Sequence, residues 1–339
     1  MSTGPGTTAP GTALVIGARG TLGSLVADAF EHAGWEVRRG SRGDDGGVLV
    51  DLDRPETVAA ALDGADVAVN TVPHTGLSAE RAVLERGGAL IGVATLPFAV
   101  TQSLREEAGA GSAARGTVVL NAGIAPGVTN LVAADLLREH PSADEVEIAL
   151  TFAAGGVNGR AGREFAHRGL AATRRHRTAT IPLPEPFGER RCLEFAEGER
   201  GWLGAVAADR AVRTYACFSE RPIHATLLAL NRIGATGAFA RVAAVAGPKG
   251  PPRRPSSEPI AQWVAVLRGG ERLAARTVEA KGDYVSTAAV ALALAERLRE
   301  AGAPGCFDPE ELFGLEELAP RLREAGVEVV PRLPSPTLG

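Results

Sequence analysis

Cysteine is scarce in this chain of 339 residues. The three cysteines, Cys192, Cys217 and Cys306, are far apart and form no CxxC pair. An odd number of dispersed cysteines is typical of a reducing compartment, so we expect reduced thiols and a cytoplasmic protein. The histidines are also scattered without HxxxH spacing, so the sequence predicts no metal site.

Lysine and tyrosine are rarer still. The only lysines are Lys249 and Lys281, and neither Tyr215 nor Tyr284 has a lysine four residues later. Short-chain dehydrogenases need a Tyr-x-x-x-Lys pair on one helical face. This common chemistry of dinucleotide-binding enzymes is therefore excluded by inspection.

A net basic charge and long uninterrupted apolar runs are lacking as well. The formal net charge is −4, which does not suggest a nucleic-acid or anionic-membrane partner. The most apolar long stretch, 224–247, is interrupted by Asn231, Arg232 and Arg241, so a membrane span is not expected. Residues 1–12 are rich in Gly, Pro and Thr and lack the regions of a signal peptide, so we expect a disordered tail.

Glycine, in contrast, forms a patterned turn after the first apolar strand, 13–16. Three glycines follow with GxxGxxG spacing, and 21–33 reads as an amphipathic helix. In such a turn the first glycine permits the bend, the second lets a pyrophosphate approach, and the third lets the helix pack closely. A strand–turn–helix without ligand is the alternative. The predicted cofactor contacts are Gly17, Arg19, Gly20, Thr21, Leu22 and Gly23.

The second strand, 35–38, ends among basic residues. NAD-specific folds commonly place an acid about 20 residues beyond the glycine turn, where it binds the ribose 2′-hydroxyl. Here Arg39, Ser41 and Arg42 occupy that neighbourhood. A guanidinium offers planar, permanently charged donors to a 2′-phosphate, so the sequence favours NADP as the cofactor. Ordinary surface charge is the alternative role of these arginines.

The ends of the next strands supply further candidates. Asp51 closes a short strand, where it would lie near the adenine or cap the following helix. The backbone of Asn70, Thr71 and Val72 ends the fourth strand, on the side where the ribose and nicotinamide usually lie.

Two more residues complete these candidates. Ala94 follows the next strand, 89–93, and is the last predicted cofactor contact. His74 would sit at the mouth of the crevice, either as a general acid or as a solvated loop histidine.

The pattern of predicted strands and helices changes after His140. Alternating strands and helices over 13–140 are typical of a parallel doubly wound sheet. Later strands are longer and alternate, over 145–153, 190–195 and 211–218, and Gly269-Gly270 predicts a hairpin. The predicted fold class is therefore α/β, a Rossmann doubly wound parallel sheet with an inserted α+β domain that contains a mostly antiparallel sheet.

In its order of motifs the chain resembles the saccharopine dehydrogenase-like (saccharopine reductase) oxidoreductases over nearly its full length. The matching motifs are the glycine turn, Ser41-Arg42, Asn70-Thr71-Val72-Pro73, the turn 121–127, Gly282-Asp283-Tyr284 and Gly305-Cys306-Phe307. One departure is that the strand 89–94 lacks the Tyr-x-Asp ending common in the family, so the resemblance does not define the substrate.

The resemblance implies a domain plan and a reaction. Residues 13–125 and 284–330 would form the Rossmann domain, and 126–283 a substrate and dimerisation domain. The family reaction is hydride transfer at a carbon bonded to nitrogen, so we expect an NADP-dependent enzyme that reduces an imine or related small molecule and forms a homodimer. A C=C or C=O reductase and a non-catalytic NADP sensor are the alternatives.

Substrate contacts are expected from the second domain. The loop 155–160 precedes a predicted helix, 161–173, and a helix N-terminus can bind a carboxylate. Arg160 or Arg163 could clamp that carboxylate with two hydrogen bonds. We therefore take Arg160, with His74, as a candidate catalytic residue; a solvated loop arginine is the alternative.

Overall fold

A computed structural model describes residues 10–43, 46–109, 114–152, 169–170, 174–195, 203–207, 209–239 and 258–332. Within these ranges the elements are, in chain order, β1 (Thr12–Ile16), α1 (Thr21–His32), β2 (Glu36–Ser41), β3 (Val48–Leu49), α2 (Pro55–Leu62), β4 (Val67–Asn70), α3 (Ser78–Arg86), β5 (Ala89–Gly92), α4 (Phe98–Gly109), β6 (Thr117–Val119), α5 (Val128–Glu139), β7 (Glu145–Phe152), β8 (Thr178–Pro182), β9 (Glu189–Glu194), β10 (Ala211–Phe218), α6 (Arg221–Arg232), β11 (Pro259–Arg268), β12 (Glu271–Lys281), α7 (Asp283–Glu300), β13 (Gly305–Phe307), α8 (Pro309–Leu312), α9 (Leu315–Glu324) and β14 (Glu328–Arg332).

The first compact unit contains the chain up to Ala122 and the segment Ala291–Phe307. Its described strands form a seven-stranded sheet in the order β13-β6-β5-β4-β1-β2-β3, and every pairing is parallel. Buried strand side chains such as Leu14, Leu90 and Val118 pack in one core with Val83 of α3 and Leu104 of α4. The strand order reverses between β1 and β4, which confirms the predicted doubly wound sheet.

The second unit contains Gly123–Val290 and the chain from Asp308 onward. Its described strands form a sheet in the order β14-β12-β11-β7-β10-β9-β8, in which β7 and β10 are parallel and the other pairs antiparallel. The β11–β12 hairpin turns at Gly269-Gly270, as the sequence predicts. Helix α5 packs on β11 and β12, while Trp263 is fully buried in an apolar cluster.

The carboxyl-terminal boundary differs from the sequence interpretation. Residues 284–330 were predicted to return to the Rossmann domain, but only Ala291–Phe307 belongs to the first unit. Strand β14 instead pairs with β12, with Val329 opposite Val278, and α8 and α9 pack on α5. The alternation of a single short strand does not identify the sheet that it joins.

The apolar stretch 224–247 begins within α6, which ends at Arg232 before Gly234 adopts a positive φ of 71°. Most of the helix predicted over 161–173 lies outside the described residues. Among the helices that the structure describes, none has the length and apolar character needed to cross a bilayer.

Candidate functional site

The glycine turn lies at the carboxyl end of β1 and is tightly packed. The Gly17 and Ala18 amides donate to the Gly40 carbonyl oxygen at 3.0 and 3.1 Å, which ties the turn to β2. Gly17 has a φ of 83°, and a Cβ there would lie 2.5 Å from Cγ2 of Val72. A Cβ at Gly23 would lie 2.1 Å from the Gly17 carbonyl oxygen. These contacts exclude a side chain at either position.

Gly20 is different because it is exposed and a Cβ there would have a single close neighbour. That neighbour is the Gly17 carbonyl oxygen, at 3.2 Å. Gly20 is the N-cap of α1, and no side chain caps this helix. The first-turn amide groups, including those of Thr21 and Leu22, are therefore available to an anion such as a pyrophosphate.

Beside this turn, the end of β2 carries two arginines with different surroundings. Arg39 is bound by α1: its Nη2 lies 2.6 Å from Asp28 Oδ1 and 3.0 Å from Glu31 Oε2. These hydrogen bonds raise the pKa of Arg39 above its ordinary value. Arg42 is exposed, and no ion pair joins it to another described residue. Of the two arginines predicted to bind the 2′-phosphate, Arg39 is thus already paired with two carboxylates, whereas Arg42 has no such partner among the described residues.

The end of β4 adjoins the same turn. Asn70 lies opposite Ile16 in the β1–β4 ladder, and both the amide and the hydroxyl of Thr71 donate to the Ile16 carbonyl oxygen, at 3.1 and 2.8 Å. The structure therefore brings Thr71 and Val72 against Gly17. The Asn70 side chain is buried, and its Oδ1 accepts from the Val72 amide at 3.0 Å.

Glu80 is a buried carboxyl that the sequence interpretation missed. It lies in the first turn of α3 with 1% of its surface exposed, and its Oε1 accepts from Asn70 Nδ2 at 2.9 Å. Burial raises the pKa of Glu80, while the Asn70 hydrogen bond opposes that rise. Because acids are common in the first turn of a helix, no sequence signal distinguished this one from an exposed residue.

His74 faces the loop that follows β3. Its Nε2 lies 3.0 Å from Asp53 Oδ1, and its ring packs on Gly76, where a Cβ would lie 2.5 Å from Cε1. In a doubly wound sheet the β1-β2-β3 half carries the adenosine side of a dinucleotide. The contact with Asp53 ties His74 to the loop that follows β3.

Asp51 lies in the same loop, and its carboxylate accepts from the Asp53 amide at 3.2 Å. This contact lies within the loop, and the N-cap of α2 is Arg54 without a side-chain cap, so Asp51 does not cap that helix. Ala94 follows β5, the next strand beyond β4, and is half-buried. Arg160 and Arg163 lie outside the described residues, and within those residues no group of His, Cys, Asp and Glu could hold a metal ion.

The end of β6 has unusual backbone geometry that the residue predictions did not include. Asn121 is buried with a φ of 51°, a left-handed conformation that non-glycine residues rarely adopt. The Ala122 amide donates to the Gly92 carbonyl oxygen at 3.0 Å, so this turn is fixed to β5. Such conformations concentrate at functional sites, and this one ends a strand on the β5–β6 side of the sheet.

Comparisons with known proteins identify the fold that this chain shares. No family model matches the chain, and no curated protein matches it. Apo saccharopine dehydrogenase (L-Glu forming) from Saccharomyces cerevisiae has a TM-score of 0.54 and 12% identity, covering 95% of this chain and 100% of that one. The C. glutamicum DAP dehydrogenase in complex with DAP has a TM-score of 0.46 and 15% identity, covering 92% and 97%. The first comparison shows that this chain shares the fold of saccharopine dehydrogenase.

Proposed function

We propose that the chain is an NADP-dependent oxidoreductase that transfers hydride to a C=N bond of a small molecule. The observation that carries the proposal is the arrangement at the ends of β1 and β2. An uncapped helix N-terminus, an exposed glycine and an arginine without an ion pair to any described residue follow these strands. The shared fold with saccharopine dehydrogenase supports the nicotinamide cofactor as the ligand.

The residues present fit a dinucleotide. Gly20 is exposed at the N-terminus of α1, where a pyrophosphate would meet the amide groups of the first turn. Arg42 follows Ser41 at the end of β2, and the Gly17 amide is bonded to the adjoining Gly40. Arg42 would bind the 2′-phosphate, while Ser41 would lie beside it.

The expected chemistry needs little from the protein besides positioning. When bound, the nicotinamide supplies a hydride to the carbon of the C=N bond. The nitrogen of an iminium already carries its proton, so a strong protein acid is not obligatory. His74, paired with Asp53, would then contribute to cofactor binding more than to proton transfer. Arg160 remains the proposed clamp for a substrate carboxylate, and the second unit the proposed substrate and homodimer domain. We propose that the protein works in the cytoplasm.

Cofactor selectivity tests the proposal through Arg42→Ala, with Arg39→Ala as the matched control. Arg42→Ala removes charged hydrogen bonds worth about 1.5–3 kcal/mol, so NADPH affinity should fall about 10- to 100-fold while NADH affinity stays nearly constant. Arg39→Ala should change NADPH affinity much less, because Asp28 and Glu31 already hold that guanidinium. The measurement is calorimetric titration of each variant with both nucleotides. Equal losses for both nucleotides would exclude a 2′-phosphate ligand, and absence of binding to either would overturn the proposal.

Turnover separates the imine reductase from its alternatives. Loss of NADPH absorbance with cyclic imines, but not with ketones or enoyl compounds, is the expected result. Turnover with the other substrates would indicate a C=O or C=C reductase. Saturable NADPH binding without turnover on any of the three classes would indicate a sensor. His74→Gln should leave imine turnover within a few-fold of wild type if His74 acts on the adenosine side.

A further inference from the structure

The two buried cysteines of the second unit lie on neighbouring strands. In the antiparallel β9–β10 ladder Leu193 is opposite Ala216, and Cys192 and Cys217 are the next residue on each strand. The Phe195 amide donates to the Thr214 carbonyl oxygen at 2.7 Å, which makes that pair hydrogen-bonded. Alternation along the ladder therefore makes Cys192 and Cys217 a non-hydrogen-bonded pair.

This position is suited to a covalent bond. The Cα atoms of a non-hydrogen-bonded antiparallel pair are about 4.5 Å apart, which lies within the range that disulfides span. Cys217 is also the neighbour that contributes most to the raised pKa of Cys192. Cys306 lies in the first unit and is not part of this pair. The sequence spacing suggested three isolated cysteines and did not predict the pair.

The surroundings of the pair control how an oxidant can reach it. Both side chains are at most 1% exposed and lie in one apolar cluster with Ile181, Leu183 and Phe187. The neighbouring Cys217 and the burial raise the pKa of Cys192, which keeps the thiol protonated and slow to react. Strand β8 is the last strand of the sheet and pairs only with β9 among the described strands. Local opening at this edge is therefore the route to the sulfur atoms.

We propose that Cys192 and Cys217 are a site of reversible oxidative modification, at which a low-molecular-weight disulfide converts the two thiols to an intramolecular disulfide. The two thiols give up two protons and two electrons, and one S–S bond forms between them. Oxidised glutathione takes up the same protons and electrons as its own S–S bond breaks, releasing two glutathione molecules. The new bond joins β9 to β10 and restricts the unfolded chain, so it stabilises the second unit. This site is independent of the proposed cofactor function.

The test uses full-length protein incubated with oxidised glutathione at pH 8, with and without urea below the unfolding transition. The variants are Cys192→Ser and Cys217→Ser, with Cys306→Ser as the matched control. Wild type and Cys306→Ser should lose two titratable thiols and yield a peptide crosslinked between 192 and 217 in mass spectrometry without reduction. The two other variants should yield no such crosslink. Urea should accelerate the reaction several-fold, because it increases the open population.

Thermal unfolding provides a second readout. Oxidised wild type should melt about 5 °C or more above the reduced protein, and dithiothreitol should reverse the shift. Retention of all three thiols in the presence of urea, a crosslink that includes Cys306, or a disulfide that lowers the melting temperature would each overturn the proposal.

Discussion

Among single side chains, Asp283 has a pKa well above the ordinary value of an aspartate. It lies in the first turn of α7 and is half-buried. Burial raises its pKa to about 6. Between pH 4 and 6 the Asp283 carboxyl therefore stays protonated in the folded state, whereas it is ionised in the unfolded state. The resulting stability is fully present below the unfolded pKa and is lost as the pH rises through 6.

Asp283→Asn should accordingly be more favourable to stability at pH 7.5 than at pH 4. The difference in the free energy of unfolding between variant and wild type should change by up to about 3 kcal/mol between these pH values, since two pKa units correspond to about that free energy. Urea unfolding at both pH values measures it. Asp209→Asn is the control for the removal of one carboxylate, because Asp209 is exposed. A pH-independent effect of Asp283→Asn would contradict the assignment.

Residue types at the candidate site could be predicted from sequence, but their pairing could not. Arg39 and Arg42 look equivalent on the printed chain. Only the packing of α1 on β2 shows that Asp28 and Glu31, three residues apart on one helical face, both reach Arg39. Glu80 was missed for the same reason, because its partner Asn70 lies on a different element.

At the level of elements, the glycine turn combines two separable functions. Gly23 keeps α1 close to β1, while Gly20 is exposed at the helix N-terminus. Gly23→Ala should cost about 1–3 kcal/mol of stability through overpacking and should also weaken NADPH binding. Gly20→Ala should cost at most about 1 kcal/mol but reduce NADPH affinity at least about tenfold, because the methyl group occupies the approach to the amides.

Chemical unfolding and NADPH titration of the two variants distinguish these effects. Gly109→Ala is the control, since a Cβ there has no neighbour within 4 Å. It should leave both quantities near wild type. If Gly20→Ala bound NADPH as wild type does, the pyrophosphate would have to lie elsewhere.

Most strands were predictable, including the short β5, whereas β8 and β13 were not. Strand β10 was predicted with its observed bounds, since eight alternating residues give a clear pattern. Strand β13 has three residues and β8 contains Pro182, so neither carries a usable periodic signal. The parallel pairing of β7 with β10 depends on contacts that single-strand patterns do not contain.

In the whole molecule, the predicted cofactor contacts lie in the first unit, whereas the buried ion pair of Glu147 and Arg272 lies in the second. Glu147 is 4% exposed and is bonded by Arg272 Nε at 2.8 Å and by Trp263 Nε1 at 3.1 Å. Arg272→Met should leave an unpaired buried carboxylate and cost about 3–5 kcal/mol. Because the predicted cofactor contacts lie in the first unit, NADPH affinity should stay near wild type at temperatures where the variant is folded.

Urea unfolding and NADPH titration check both parts of this prediction. Arg54→Met is the control, because Arg54 and Glu56 form an exposed pair and its loss should have no measurable effect on stability. An Arg272→Met variant as stable as wild type would show that Glu147 is accommodated without its partner.

The interleaved chain order of the first unit has a consequence for biosynthesis. Strand β13 borders β6, yet the residues of β7 through β12 leave the ribosome between them. A nascent chain therefore exposes the backbone of β6 as an open edge until Gly305–Phe307 has been translated. Translational pausing in this interval would prolong the exposure of that edge to other chains and to chaperones.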